Sequence, residues 1–365
     1  MNNNLIVIVG AGPAGLSTAI QAAEAGAKVV LIDENQKPGG QLFKQIHKFF
    51  GSKAHKAGVR GVDIGRQLLE ETESQGVEVH LGYPVYGVYP DGRVVYGSAE
   101  GVRSIQADRV ILATGAIENN LCFEGSTLPG VMTAGAAQTM INEHRVLPGK
   151  NVVMIGSGNV GLIISYQLMQ AGATVRALVE AAPAIGGYAV HAAKLKRSAV
   201  PIYLSHTVNR VWGDGKVEKV ELIALDEHFN KIEGTEEVLD ADTVCMAVGL
   251  TPMVELASLA GCRLTENGTL GGMVPLHDEN MRTSNPIYYV AGDIAGVEEA
   301  STAIEEGRLA GIAAAESLGL SNEKTAEKKQ AVRDNLAALR SGAFGQRRFL
   351  AKEEMVKEFY REAEV

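Results

Sequence analysis

Two glycine-rich stretches carry the chemistry legible in this chain: Gly10-Ala11-Gly12-Pro13-Ala14-Gly15 and Gly156-Ser157-Gly158-Asn159-Val160-Gly161. Each follows an apolar β-run, Leu5–Val9 in the first case and Asn151–Ile155 in the second, and each opens a helical stretch. In such a turn the first glycine permits the tight reversal, the second lets the backbone approach a pyrophosphate, and the third lets helix and strand pack closely. Free N–H groups and the positive end of the helix then face the phosphate charge. An acid closes each unit. Asp33, followed by Glu34, lies 23 residues after Gly10, and Glu180 lies 24 residues after Gly156. Carboxylates at the end of the second strand accept hydrogen bonds from ribose hydroxyls. A single turn of this kind arises by chance. Two, both in strand–turn–helix order, point to a chain that holds two nucleotides or once did, and redox chemistry is the leading reading.

The expected residues of the second site are Gly156, Gly158, Asn159, Val160 and Glu180. A carboxylate at Glu180 favours a free 2′-hydroxyl and repels a 2′-phosphate, and no arginine follows it immediately, so NAD is expected over NADP. Two alternatives stay open here: another adenine nucleotide, or a retained fold that no longer binds nicotinamide.

Composition narrows the classes. The 365 residues suffice for two domains, each with its own core. Aromatics at 5% and a net charge of −9 argue against a nucleic-acid partner, which calls for a basic footprint and stacking rings. The apolar N-terminal run lacks a basic flank and is interrupted at Gly10 and Pro13, so it reads as a first strand and not as a signal peptide. No stretch has the length of a membrane span. Cys122, Cys245 and Cys262 form neither a Cys-X-X-Cys pair nor a metal-ligand cluster, so no metal is expected. A cytoplasmic location follows as the default, with the thiols as small core residues.

Three further motifs bring a family into view. Pro38-Gly39-Gly40-Gln41-Leu42, Arg109-Val110-Ile111-Leu112-Ala113-Thr114-Gly115 and Tyr289-Val290-Ala291-Gly292-Asp293 occur in that order. Together with the first turn, over about Leu5 to Leu318, they resemble the two-dinucleotide-binding-domain flavoproteins of thioredoxin-reductase-like fold. The resemblance implies FAD held by residues 10–15 with Asp33, Glu34, Gly40, Gln41, Val85, Ala113, Thr114, Gly115, Gly292 and Asp293. It implies that Asp293 holds the ribityl chain, and that Ala300 and Ser301 start a helix aimed at the flavin pyrimidine ring. Such a helix N-terminus stabilises negative charge on reduced flavin.

Thioredoxin and disulfide reductases need a redox-active cysteine pair, which this chain lacks. Ala116-Ile117-Glu118, the stretch Phe123-Glu124-Gly125-Ser126-Thr127-Leu128-Pro129-Gly130-Val131, and Ala291-Gly292-Asp293-Ile294-Ala295-Gly296 resemble a narrower group. These are the α subunits of hetero-oligomeric proline and hydroxyproline dehydrogenases, opine oxidases and hydrogen cyanide synthase. The resemblance implies a partner β subunit, similar to an amino-acid oxidase, that takes hydride from a C–N substrate. Many members carry a C-terminal cysteine cluster for a [2Fe–2S] centre. No cysteine follows Cys262 here, so an iron–sulfur centre is expected on a separate small protein. No catalytic residue is identified. His47, in a segment running from Gln45 to Ser52, is read as a hydrogen-bonded structural histidine, with a place at the flavin face as the minority reading.

The fold expected is α/β, with two Rossmann-like dinucleotide-binding domains of mainly parallel sheet and the NAD-type domain inserted into a discontinuous FAD domain. The expected boundaries are 1–120 and 251–320 for the FAD domain, 121–250 for the insert and 321–365 for a charged helical tail. In that tail Val332, Leu336 and Leu339 share one face, as do Met355 and Phe359. The main function expected is an electron-transferring α subunit of an amino- or imino-acid dehydrogenase. The alternatives are a stand-alone NADH-dependent flavin reductase feeding a carrier protein, and a non-catalytic scaffold stabilised by its nucleotides.

Overall fold

The computed structural model describes residues 3–49, 52–342 and 345–363. Phe50 and Gly51, within the segment around His47, lie outside the described residues. Two compact units emerge: one formed by the chain up to Ile117 and from Thr251 onward, the other by Glu118–Leu250.

The first unit is built on five parallel strands in the order Tyr288–Val290, Arg109–Leu112, Leu5–Val9, Lys28–Asp33, Glu78–Leu81. Val7 sits in register with Val30 on one side and Val110 on the other. Strands covered on both faces read as unbroken apolar runs, and Ile6, Val7 and Ile8 are fully buried. Helix α1 (Pro13–Glu24) follows the first strand, and α2 (Gly61–Ser74) precedes the fifth strand of that order. An antiparallel sheet of Val85–Val88, Arg93–Ser98 and Gly101–Gln106 adds to this unit.

The second unit repeats the plan. Its parallel sheet runs Ile202–Leu204, Thr174–Glu180, Asn151–Ile155, Thr243–Met246, Val131–Thr133, with helices α3 (Ala134–Asn142), α4 (Asn159–Gln170) and α5 (Ala189–Arg197). A second antiparallel sheet, His206–Trp212, Lys219–Ala224 and Glu237–Asp240, packs its apolar face on that core. These antiparallel sheets are not among the sequence expectations, because short strands bearing many charges leave no clear period-2 signature.

The chain then returns to the first unit with the short α6 (Glu255–Leu259), a hairpin and the long α7 (Ala300–Glu316). A Cβ on Gly307 would lie 2.1 Å from the Ala14 carbonyl oxygen, and one on Gly311 would lie 2.5 Å from that of Thr18, so α7 and α1 cross backbone to backbone. Helices α8 (Thr325–Arg340) and α9 (Gln346–Ala363) complete the unit. Val332 and Leu336 enter its main core, while Met355 and Phe359 pack with Leu270, Val274 and Leu276. Leu339, expected on the apolar face, is only half-buried. Among the described residues no helix is long and apolar enough to cross a membrane.

Candidate functional site

The first glycine turn is pinned from both sides. Gly10 donates its N–H to Ile32 O at 2.8 Å, and Ala113 donates to Val9 O at 2.8 Å. Gly10 adopts φ +105°, and a Cβ there would stand 2.3 Å from Ala113 O. A Cβ on Gly15 would stand 1.8 Å from Gly10 O, so helix and strand meet only because both residues are glycine. Gly12 is the N-cap of α1, no side chain caps the helix, and its first turn holds no acid. The first-turn amides and the positive helix end are therefore available to an anion.

Asp33, 7% exposed, ends the second strand. Its Oδ2 accepts the Ala11 N–H at 2.5 Å, and its Oδ1 accepts the Asn35 N–H at 2.7 Å and Asn35 Nδ2 at 2.9 Å. Each carboxylate oxygen has two lone pairs, so Asp33 keeps acceptor capacity for a ribose hydroxyl. Glu34, next in the chain, is exposed. Gly39 donates to Ala11 O at 2.7 Å, and a Cβ on Gly40 would lie 2.9 Å from Gly12 Cα. The Pro38–Gly40 loop thus rims the turn, while Gln41, next in the chain, is exposed. Val85 belongs to the antiparallel sheet, two residues beyond Tyr83, whose N–H donates to Asp33 O at 2.9 Å.

The late motifs converge on the same place. Thr114 Oγ1 donates to Met253 O at 2.8 Å, and Met253 N–H donates to Gly115 O at 3.0 Å. A Cβ on Gly292 would lie 2.9 Å from Ala14 Cβ, which puts the Gly292–Asp293 turn directly against α1. Asp293 is half-buried, and lost hydration together with nearby Glu306 and Glu298 pushes its carboxyl up to about 6. Helix α7 begins at Ala300, with Ser301 in its first turn and no acid there. Turn, rim loop, Ala113 and Gly292 therefore form one close-packed cradle of backbone, with no room for a side chain where they touch.

The second unit reproduces these contacts. Gly156 (φ +100°) donates to Val179 O at 2.7 Å, and a Cβ there would lie 2.2 Å from Ala247 O. Glu180 Oε2 accepts the Ser157 N–H at 2.9 Å and Ser157 Oγ at 2.5 Å, while its Oε1 accepts the Ala182 N–H at 2.9 Å. Gly158 caps α4 without a side-chain bond. Asn159 Oδ1 accepts the Tyr188 N–H at 2.8 Å, and Val160 is 43% exposed. Gly187 donates to Ser157 O at 2.9 Å, as Gly39 does to Ala11 O.

Several residues of these sites escaped sequence reasoning. Gly186 and Gly187 stand six and seven residues after Glu180, as Gly39 and Gly40 do after Asp33; that repeated spacing was the available signal. Glu306, whose Oε2 accepts the Gly292 N–H at 3.0 Å, gave none. His47 stacks on Phe49 with ring centroids 5.2 Å apart. Cys245 and Cys262 are buried as expected, and burial pushes the Cys245 thiol up to about 12. Cys122 is exposed, a correction to its reading as a core residue: it falls in an irregular stretch between strands, at the surface.

Two glycine-turn βαβ units, one of them closed by a late returning strand and helix, define the class of two-nucleotide oxidoreductases. The chain belongs to the pyridine nucleotide-disulphide oxidoreductase family, a family of flavin enzymes whose sequence profile matches residues 4–307. It is 31% identical to an opine oxidase subunit from Rhizobium meliloti (strain 1021), over 86% of this chain and 71% of that one. It is 27% identical to the hydrogen cyanide synthase subunit HcnB of Pseudomonas aeruginosa, over 84% and 69%. The alpha subunit of sarcosine oxidase from Rhizobium meliloti is 31% identical, but the match covers 70% of this chain and 25% of that protein. The fold is shared with T. acidophilum thioredoxin reductase (TM-score 0.70, 24% identity, 87% of this chain and 98% of that one). It is also shared with L-proline dehydrogenase from P. horikoshii (TM-score 0.68, 23% identity, 90% and 58%).

Proposed function

We propose that this chain is the FAD-binding, electron-transferring subunit of a hetero-oligomeric amino- or imino-acid dehydrogenase. The observation that carries the reading is the cradle of Gly10–Gly15, Gly40, Ala113 and Gly292, joined to kinship with named subunits of opine oxidase and hydrogen cyanide synthase. When bound, FAD supplies an acceptor for two electrons that can leave one at a time. The residues of the chain bind and orient it. The first-turn amides of α1 would hold its pyrophosphate, Asp33 would take ribose hydroxyls, Asp293 would hold the ribityl chain, and the start of α7 would serve the pyrimidine ring. The three separated cysteines form no Cys-X-X-Cys pair, so disulfide reduction by thiols of this chain is not part of the proposal. Hydride removal from the substrate falls to a partner subunit resembling an amino-acid oxidase, with an iron–sulfur centre on a further small protein.

At the second site the proposed occupant is an adenine nucleotide with a free ribose diol, NAD(H) included, because Glu180 repeats the placement of Asp33. That placement also supports a second reading, a stand-alone NADH-dependent flavoprotein reductase. Anaerobic addition of NADH to the purified chain separates the two. Unbleached flavin, with turnover of a C–N substrate on co-expression with neighbouring subunits, is the expected result. Rapid bleaching by NADH alone would overturn the subunit reading in favour of the reductase.

A further inference from the structure

Around the Gly292–Asp293 turn the first unit gathers the carboxylates of Asp293, Glu298 and Glu306, and two cations of the C-terminal helices, Arg340 and Lys352, oppose them. Glu306 Oε2 accepts the Gly292 N–H at 3.0 Å. Its other oxygen accepts Arg340 Nη2 at 2.6 Å and Lys352 Nζ at 2.7 Å. Arg340 also reaches Glu298, with Nε 3.0 Å from Oε2, and the Glu298 N–H donates to Asp293 Oδ1 at 3.3 Å. A single guanidinium at the end of α8 thereby grips both ends of the turn. The side chains of Glu298, Glu306, Arg340 and Lys352 are 7%, 3%, 11% and 6% exposed, so solvent screens none of these charges well. His277 also faces the cluster, and burial and then Lys352 push it down to about 4 and thus hold it neutral. Loss of Arg340 and Lys352 would take two positive charges from beside the carboxylates of Asp293, Glu298 and Glu306.

Given the reading of Gly292–Asp293 as the flavin's ribityl contact, we propose that Arg340 and Lys352 are positioning residues for the cofactor. Acting through Glu306 and Glu298, they hold the turn in its FAD-binding geometry and balance its charge. The tail is on this account part of the flavin site, although no atom of it need touch the flavin. Removal of a buried cation leaves its former partners as uncompensated charges, which is the costly way to break such a network.

The test measures FAD dissociation and the flavin midpoint potential of the full chain at pH 8 and pH 5.5. R340Q and K352M are expected to weaken FAD at pH 8 by at least about tenfold, which is one pK unit of interaction, and to lower the midpoint potential. R340K and K352R should restore most of both. At pH 5.5 the deficit should shrink, because a proton on a carboxyl replaces the lost cation; a purely structural role would leave the loss unchanged with pH. The double variant R340Q/E298Q removes one charge of each sign and should bind FAD more tightly than R340Q alone, which keeps the test valid if R340Q folds poorly. FAD affinities within twofold of wild type for R340Q and K352M at both pH values would overturn the inference and leave the site reading standing. A wild type that takes no FAD would overturn the site reading itself, and the inference with it.

Discussion

Asp33 Oδ2 accepts the backbone N–H of Ala11, 22 positions earlier, at 2.5 Å. The acid proposed to face the ribose therefore also ties the glycine turn to the end of the second strand. Asp33→Ala should weaken FAD binding about ten- to a hundredfold, the range expected for charge-assisted hydrogen bonds of about 1.5–3 kcal/mol. Fluorescence titration of the apoprotein with FAD reads the effect, and an affinity equal to wild type would remove Asp33 from the site.

Glu180 holds the equivalent place in the second unit. Glu180→Ala should abolish saturable binding of diol-bearing adenine nucleotides while leaving FAD content unchanged, since each unit closes its own turn. Calorimetric titration with NADH, NADPH and ATP checks this, with tighter binding of the diol-bearing ligands expected in the wild type. Binding that favours the 2′-phosphate would contradict the role given to this carboxylate.

Gly15 and Gly161 have no room for a methyl group, since a Cβ would lie 1.8 Å and 2.1 Å from the carbonyl oxygens of Gly10 and Gly156. Gly15→Ala and Gly161→Ala should each destabilise the fold by at least about 2 kcal/mol, the scale of overpacking a tight contact. Gly15→Ala should also expel FAD, whereas Gly161→Ala should leave it bound. Denaturant midpoints and flavin absorbance together distinguish these outcomes.

Two groups near Glu306, the buried His277 and the half-buried Asp293, pull the apoprotein's pH dependence in opposite directions. His277, pushed down to about 4 mainly by burial, takes a proton in the unfolded chain below 6.5 that the folded chain refuses, so its contribution to stability is lost as pH falls from 6.5 towards 4. Asp293, pushed up to about 6 by lost hydration, binds a proton when folded that the unfolded chain lacks above 3.8, so its contribution is lost as pH rises towards 6. Between pH 4.5 and 6 the two should nearly cancel in the wild type. Asp293→Asn should then lose stability with falling pH by up to about 1.4 kcal/mol per unit, and His277→Gln should gain it. Apoprotein urea melts with parallel slopes in both variants would refute the pair of assignments.

Only Cys122 is exposed among the three thiols, and burial raises both Cys245 and Cys262. A thiol-specific dye should label the native chain at Cys122 alone, and Cys122→Ser should leave flavin redox behaviour unchanged. Fast labelling at a second position would show that a buried thiol opens to solvent.

Much of the first site could be read along the chain because its demands are local. A strand, a turn that tolerates only glycine, a helix and an acid must follow one another within about thirty residues, and Gly10 to Asp33 does so; Gly156 to Glu180 does it again. The apolar faces of α8 and α9 were legible for the same reason, since periodicity is a short-range property. What the amino-acid order could not state is which distant groups meet. Gly292 against Ala14, Gly40 against Gly12, and α7 laid on α1 at Gly307 and Gly311 are close approaches set by how whole elements pack. The pairing of Glu306 with Arg340 and Lys352 belongs to the same kind. A charge on a helix looks alike in sequence whether it faces water or a carboxylate 34 or 46 residues away, and only burial in the folded chain decides between them.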